Sequence, residues 1–158
     1  MRELLVPAVT NRKLAVAVAA TVLVADQLTK WWALEALADG PISVFGDFWR
    51  FRVVRNSGAA FGTLQNAGVL LAIIAVVAIL LLLRVSASTE HRSEAVIFGL
   101  VLGGAAGNLV DRVFRGDGFF DGRVVDWIDF SFWPTFNVAD SAITVAVLMA
   151  VATAFRAK

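Results

Sequence analysis

Four apolar stretches divide the chain: residues 14–25 (LAVAVAATVLVA), 67–83 (AGVLLAIIAVVAILLLL), 95–110 (AVIFGLVLGGAAGNLV) and 142–155 (AITVAVLMAVATAF). A helix needs roughly 20 residues to cross a bilayer. The second stretch nearly meets that length alone. The other three meet it by extending through polar residues at one end. The first follows Arg12 and Lys13 and contains A-x-A patterns, which gives it the look of a signal peptide. Its apolar character resumes at Trp31, Trp32, Ala33 and Leu34, however. The expected element is therefore a helix that continues through Asp26 to about residue 37.

Between the first two stretches the pattern changes period. In residues 48–54, FWRFRVV, Trp49, Phe51 and Val53 alternate with Arg50 and Arg52. That alternation predicts a half-buried strand, and Asn56-Ser57-Gly58 after it reads as a turn. The expected fold class is an all-α membrane protein with four transmembrane helices and a small β-containing region outside the membrane.

Consecutive spanning helices alternate in direction. Asp26 falls near the end of the first, and Asn108 and Asp111 near the end of the third. Asn137 and Asp140 fall at the start of the fourth. All five polar residues therefore converge on one leaflet, whichever way the chain is inserted. Basic residues are densest in the short tails and the short 2–3 connection: Arg2, Arg12, Lys13, Arg84, Arg92, Arg156 and Lys158. The opposite side carries Arg50, Arg52, Arg55, Arg112, Arg115 and Arg123, spread over long loops. The positive-inside rule then places both termini in the cytoplasm. Loops 38–66 and 113–136 face outward with the polar cluster. All five tryptophans lie on that side too, as an interfacial aromatic belt would.

Composition agrees with the membrane class. The chain has 158 residues, of which 59% are hydrophobic and 17% charged, and its mean hydropathy is +0.77. One soluble domain of this length could not hide that much apolar surface. A net charge of +1 implies no nucleic-acid partner. Cysteine is absent, which removes disulfides, thiolate nucleophiles and thiolate metal sites together. The single histidine, His91, sits in a polar stretch beside Arg92 and reads as solvated. Any catalysis must run on carboxylates, amides and hydroxyls.

Gly99, Gly103 and Gly107 recur every four residues, a spacing that lets helices approach closely in lipid. N-x-x-D occurs twice, at Asn108–Asp111 and Asn137–Asp140, and i and i+3 share a helix face. The second copy also suits an N-terminal cap, with Asp140 at the positive end of the helix dipole. The first ends its helix and cannot be such a cap. Arg112 beside Asp111 offers it an ion-pair partner. Asp26 and Lys30 stand at i and i+4, the spacing of an intrahelical ion pair. An unpaired charge at this depth would cost roughly 2.5–3.5 kcal/mol. Asp126 lies between Val124-Val125 and Trp127-Ile128, surroundings that raise a carboxyl pKa. Two carboxylates in unlike environments can serve as an acid and a base. Asp129 reads as solvated or paired with a nearby arginine.

The blocks ADQLTK (25–30), RNSGAAFG (55–62), GGAAGNLVDR (103–112), VVDWI (124–128) and FNVADSAI (136–143) occur in one order along nearly the whole chain. In this the chain resembles the bacterial lipoprotein signal peptidases, the type II signal peptidases. The resemblance implies a single membrane protease domain over residues 1–158. It implies an aspartic endopeptidase of the inner membrane that cuts prolipoproteins just before a diacylglyceryl-modified cysteine. On that resemblance Asp126 and Asp140 are the catalytic pair. Asn56, Asn108 and Asn137 line the substrate site, while Asp26, Asp111 and Arg112 support it. The implied partners are the lipid-modified prolipoprotein and membrane lipid, with no cofactor and no metal, and the chain is read as a monomer. Two features depart from the family pattern: the stretch 115–122, RGDGFFDG, is long, and Trp127 stands where Phe is usual.

Two other readings compete. A proton-coupled transporter would carry polar groups through the whole depth of the bilayer. Here they gather at one end, and residues 68–83 contain none. A structural membrane subunit would keep its acids only as partners for its arginines.

Overall fold

The computed structural model describes residues 8–58, 68–86, 88–118 and 120–156. Within them are four helices, α1 (Ala8–Ala36), α2 (Gly68–Ser86), α3 (Arg92–Phe114) and α4 (Val138–Arg156), and four strands, β1 (Ile42–Phe45), β2 (Trp49–Asn56), β3 (Val124–Phe130) and β4 (Trp133–Phe136). All four helices are long and apolar enough to span a bilayer, so the chain is a multi-pass membrane protein. At a rise of 1.5 Å per residue, the 19 residues of α2 cover about 28 Å, close to the hydrocarbon thickness.

Each helix outruns the apolar stretch that announced it. Helix α1 takes in Asp26 and Lys30 and helix α3 takes in Asp111, because those side chains find partners inside the bundle. Asn11 shows the same at the other end of α1. Its amide donates to the carbonyls of Thr89 at 3.2 Å and Glu90 at 2.7 Å, pinning α1 to the connection before α3.

Helix α3 is central and packs against the other three. Its glycines explain how. A Cβ on Gly99 would lie 2.7 Å from the Ala15 carbonyl, and one on Gly103 would lie 2.6 Å from Val22 Cβ. On the other face, a Cβ on Gly104 would lie 2.6 Å from the Ala139 carbonyl. Small residues on two faces therefore let α3 press against α1 and α4 at once.

The small β-containing region is present, and where the sequence located one strand in it there are four among the described residues, in a single antiparallel sheet of order β1-β2-β3-β4. The alternating stretch is β2, which pairs Trp49 with Phe130, Arg50 with Asp129 and Val54 with Asp126. The turn after it also forms. The Gly58 N–H donates to Asn56 Oδ1 at 2.9 Å, and Gly58 has a φ of 107°, which glycine tolerates. The rest of that loop, including residues 59–62 of the RNSGAAFG block, lies outside the described residues.

The sheet seats on the end of α1 through Ala33, Leu37 and Trp127, with Phe51, Val53, Ile128 and Val138 around them. This limits the reading of all five tryptophans as an interfacial aromatic belt. Trp31 and Trp133 are exposed, but Trp127 is only 8% exposed. Its ring lies edge-on to Trp32, with centroids 5.4 Å apart, and to Phe51 at 5.3 Å. Trp127 belongs to the joint between sheet and bundle.

Candidate active site

The inner end of β3 meets the end of α3 and the start of α4. Asp126 stands on β3 and is buried. Asp140 stands in the first turn of α4. Asn137 precedes that helix, has no exposed surface, and touches both acids. Its Nδ2 donates to Asp126 Oδ1 at 2.7 Å, and its backbone N–H donates to Asp140 Oδ2 at 3.3 Å. Its Oδ1 accepts the Asp140 N–H at 2.9 Å. The cap expected of N-x-x-D is therefore present, and the same residue also holds the second carboxylate.

Each acid has a further amide donor. Asn56, the last residue of β2, donates from Nδ2 to Asp126 Oδ2 at 3.0 Å. Asn108, near the end of α3, donates from Nδ2 to Asp140 Oδ1 at 2.8 Å. Asn137 also donates to Asn108 Oδ1 at 3.1 Å, closing the ring of amides. Among the described residues, neither carboxylate has a cation within ion-pair distance. Burial pushes Asp126 up to about 7. The bond from Asn56 opposes that shift, the Asp140 charge adds to it, and the bond from Asn137 opposes it.

Under this ring lies a second cluster. Lys30, with no exposed side-chain surface, makes ion pairs of 2.8 Å to Asp26 Oδ2 and 2.8 Å to Asp111 Oδ2. Asp26 reaches α4 through Oδ1, which accepts the Ala139 N–H at 2.9 Å. Asp111 reaches β3 through Oδ2, which accepts the Val125 N–H at 3.0 Å. Gln27 donates from one amide nitrogen to Asp26, to the Gly107 carbonyl and to Asp111, at 3.2, 3.1 and 3.2 Å. The carboxylates expected as supports thus tie α1, α3, α4 and β3 into one frame.

One pairing differs from expectation. Asp111 was matched with its neighbour Arg112. Its partners are Lys30 and Arg115, the latter at 2.7 Å from Asp111 Oδ1. Adjacent helical residues point about 100° apart, whereas i and i+4 lie on one face. Arg112 instead donates from Nη1 to the Asn108 carbonyl at 3.1 Å, steadying the backbone that carries that amide. The Asp26–Lys30 ion pair expected from their spacing is present; sequence reasoning missed that Lys30 also reaches Asp111, and missed Gln27 and Arg115 as members of this site. The 111/115 spacing was the available signal. Arg115 had been grouped with the long stretch 115–122, whose Gly122 N–H donates to the Arg112 carbonyl at 3.0 Å.

No group of three or more metal-ligating side chains occurs among the described residues. What the arrangement offers is a pair of carboxylates whose hydrogen-bond donors, among the described residues, are all neutral. Such a pair can exchange protons, since Lys30 and Arg112 act on it only through longer-range charge and make no ion pair with either acid among the described residues.

Comparison with known proteins agrees with this picture. The family model for signal peptidase (SPase) II matches residues 18–156. The lipoprotein signal peptidase of Rhodococcus jostii is 42% identical over 142 residues, covering 89% of this chain and 72% of that protein. That of Streptomyces coelicolor is 41% identical over 116 residues, covering 73% of this chain and 57% of that protein. A solved bacterial membrane enzyme superposes with a TM-score of 0.76 at 28% identity, covering 90% of this chain and 87% of that one.

Proposed function

The chain belongs to the signal peptidase II family, a family of proteases, and from that premise we propose that it removes signal peptides from lipid-modified prolipoproteins by aspartic chemistry. Asp126 and Asp140 are the proposed catalytic pair. The observation that carries this reading is that two carboxylates are gripped by one asparagine and otherwise, among the described residues, meet only amide donors, with Asp126 pushed to about 7.

The chemistry follows from that asymmetry. The dyad begins with one proton, on Asp126, whose burial favours the neutral form. Asp140 is the ionised member and accepts a proton from a water placed between the two. The oxygen of that water forms a bond to the scissile carbonyl carbon. Asp126 gives its proton to the carbonyl oxygen, leaving a neutral tetrahedral diol. As the diol collapses, the C–N bond breaks. Asp140 returns its proton to the departing amine, and the diol returns one to Asp126. A new carboxyl terminus and a free amine on the lipidated cysteine result, and the dyad is back in its starting state. Asn56, Asn108 and Asn137 hold the two acids in place.

The proposed setting is the bacterial inner membrane, with both termini in the cytoplasm and the dyad at the outer leaflet. The basic density of the tails and of the α2–α3 connection supports that orientation. The substrate's cysteine bears a diacylglyceryl group, so an active site at leaflet depth meets the scissile bond without lifting the lipid out. The deciding experiment is cleavage of a diacylglyceryl-modified prolipoprotein by the purified protein in detergent, with Asp126→Asn and Asp140→Asn as controls. Cleavage by the wild type and none by either variant is the expected result. Normal turnover by either variant would overturn the dyad. Cysteine labelling at residue 158 tests the orientation separately, since labelling from outside the cell contradicts it.

A further inference from the structure

Lys30 lies one turn beyond Asp26 on α1 and is fully enclosed. An ammonium has three N–H donors. Three oxygens surround this one: Asp26 Oδ2 at 2.8 Å, Asp111 Oδ2 at 2.8 Å and Asn108 Oδ1 at 3.1 Å. The two carboxylates answer the charge. The third contact, to a neutral amide, is unnecessary for that purpose and has a separate consequence.

A carboxamide has one accepting end and one donating end, and its partners decide which way it faces. Asn108 Oδ1 meets two donors, Lys30 Nζ and Asn137 Nδ2, each at 3.1 Å. Turning this amide over would set its NH2 against an ammonium and against another NH2. Its own Nδ2 is thereby committed to Asp140 Oδ1, 2.8 Å away. The reversed amide would present oxygen to a carboxylate and push it away.

We propose that Lys30 is a positioning residue for the dyad: through Asn108, its ammonium selects the one amide orientation that holds Asp140 in place by a donated hydrogen bond. The proposal rests on the reading of Asp140 as one half of the catalytic pair. It assigns Lys30 a role that the ion pairs with Asp26 and Asp111 do not by themselves require.

Lys30→Met alone would leave two buried carboxylates facing each other and would endanger folding. The test therefore uses Lys30→Met with Asp26→Asn, which removes one charge of each sign. The Asn side chain retains an oxygen for the Ala139 N–H. The readouts are kcat and KM on a diacylglyceryl-modified prolipoprotein, with thermal melting in the same detergent. The expected result is a melting temperature near that of the Asp26→Asn single variant and a KM near that of the wild type. The kcat should fall on the order of 10²-fold, as misplacement of a reacting group does. A second pair, Lys30→Gln with Asp26→Asn, keeps a donor for Asn108 and should recover part of the rate.

Dependence on the relay is read in an Asn108→Ala background. There the Lys30→Met/Asp26→Asn pair should cost no more than about twofold beyond the Asn108→Ala loss, because residues acting as one unit are not additive. A folded double variant with full kcat overturns the proposal, as do losses that multiply in the Asn108→Ala background. Wild type and Asp140→Asn in the same assay report on the dyad itself. An active wild type, an inactive Asp140→Asn and an unimpaired Lys30 variant would reject the Lys30 role alone.

Discussion

Asp126 and Asp129 stand three residues apart on β3, both buried, in surroundings of opposite effect. Among the described residues, Asp126 accepts side-chain hydrogen bonds only from the amides of Asn56 and Asn137. Asp129 accepts from Arg50 Nη2 at 3.0 Å, Arg52 Nη2 at 3.0 Å and Thr135 Oγ1 at 3.0 Å. Burial pushes both carboxyls up. At Asp129 the bonds from Arg52 and Thr135, the Arg52 charge and the bond from Arg50 outweigh it, and the group lies below its ordinary value. At Asp126 burial prevails, and the group rises to about 7. A guanidinium makes a carboxylate a fixed anion that ties strands together. An amide holds its shape and leaves its proton negotiable. The partner's charge and the depth of burial together separate a structural acid from a reactive one: Asp126 lies deeper and meets amides, Asp129 lies shallower and meets guanidiniums.

The severest way to break this contrast is to remove the reactive side. Asp126→Asn and Asp140→Asn should each lower kcat by about 10²–10⁴-fold, and the double variant should be little worse than either, because the pair acts as one unit. Cleavage assays normalised to folded protein measure this. A milder break keeps the carboxylate and changes its partner. Asn56→Arg brings a guanidinium to Asp126, imposing the surroundings of Asp129 on it. Turnover should fall by about 10²-fold with the acid still in place. Unchanged turnover would mean that the charge of the partner does not matter.

The two acids should also depart from each other in pH. Activity should decline on the alkaline side of about pH 7, where Asp126 gives up its proton. For stability, the raised Asp126 binds more protons folded than unfolded between about pH 4 and 7, so its contribution is lost as pH rises through that window. Asp126→Asn should then melt a few degrees higher than the wild type at pH 8 and show little difference near pH 4. Asp129 has the opposite sign. Its stabilisation is present above about pH 4 and is lost as pH falls below that, since its folded value is depressed. Melting curves from pH 3 to 8 check both.

The smallest expected effect is that of Asp129→Asn on catalysis. Activity should stay within about twofold of the wild type, while stability at pH 7 drops by about 1 kcal/mol, because Arg50 and Arg52 are partly solvated and discount the ion pairs. A collapse of turnover in this variant would mean that the outer end of β3 belongs to the reaction centre after all.

Much of the molecule was legible in the sequence because it depends on local pattern. The four spanning helices follow from apolar runs and the strand at β2 from period-two alternation. The meeting of Asp26, Asn108, Asp111, Asn137 and Asp140 at one end of the helix bundle follows from their places on helices of alternating direction. The glycine spacing announced the close approach of α3. Other parts were not legible. β3 is buried on both faces over Val124–Trp127 and shows no alternation, and β4 is four residues long with a proline inside it. Short segments of that kind become strands only because β2 is present to pair with them.

The sequence by itself determined that this is a membrane protein of the signal peptidase II family, with carboxylates and asparagines gathered near one surface. Apolar length, alternation and ordered motifs are properties of neighbouring residues and survive without a fold. Only the tertiary structure decided which donor each acid receives. Asp126 meets Asn137 across 11 residues and Asn56 across 70. Asp111 takes Lys30 and Arg115 where adjacency in the chain pointed to Arg112. Lys30 reaches Asn108 across 78 residues. Those choices turn on ångström-scale approach between α1, α3, α4 and β3, made possible by glycines that carry no side chain. A hydrogen bond is a property of two atoms and their geometry, and that geometry exists only after the helices have packed.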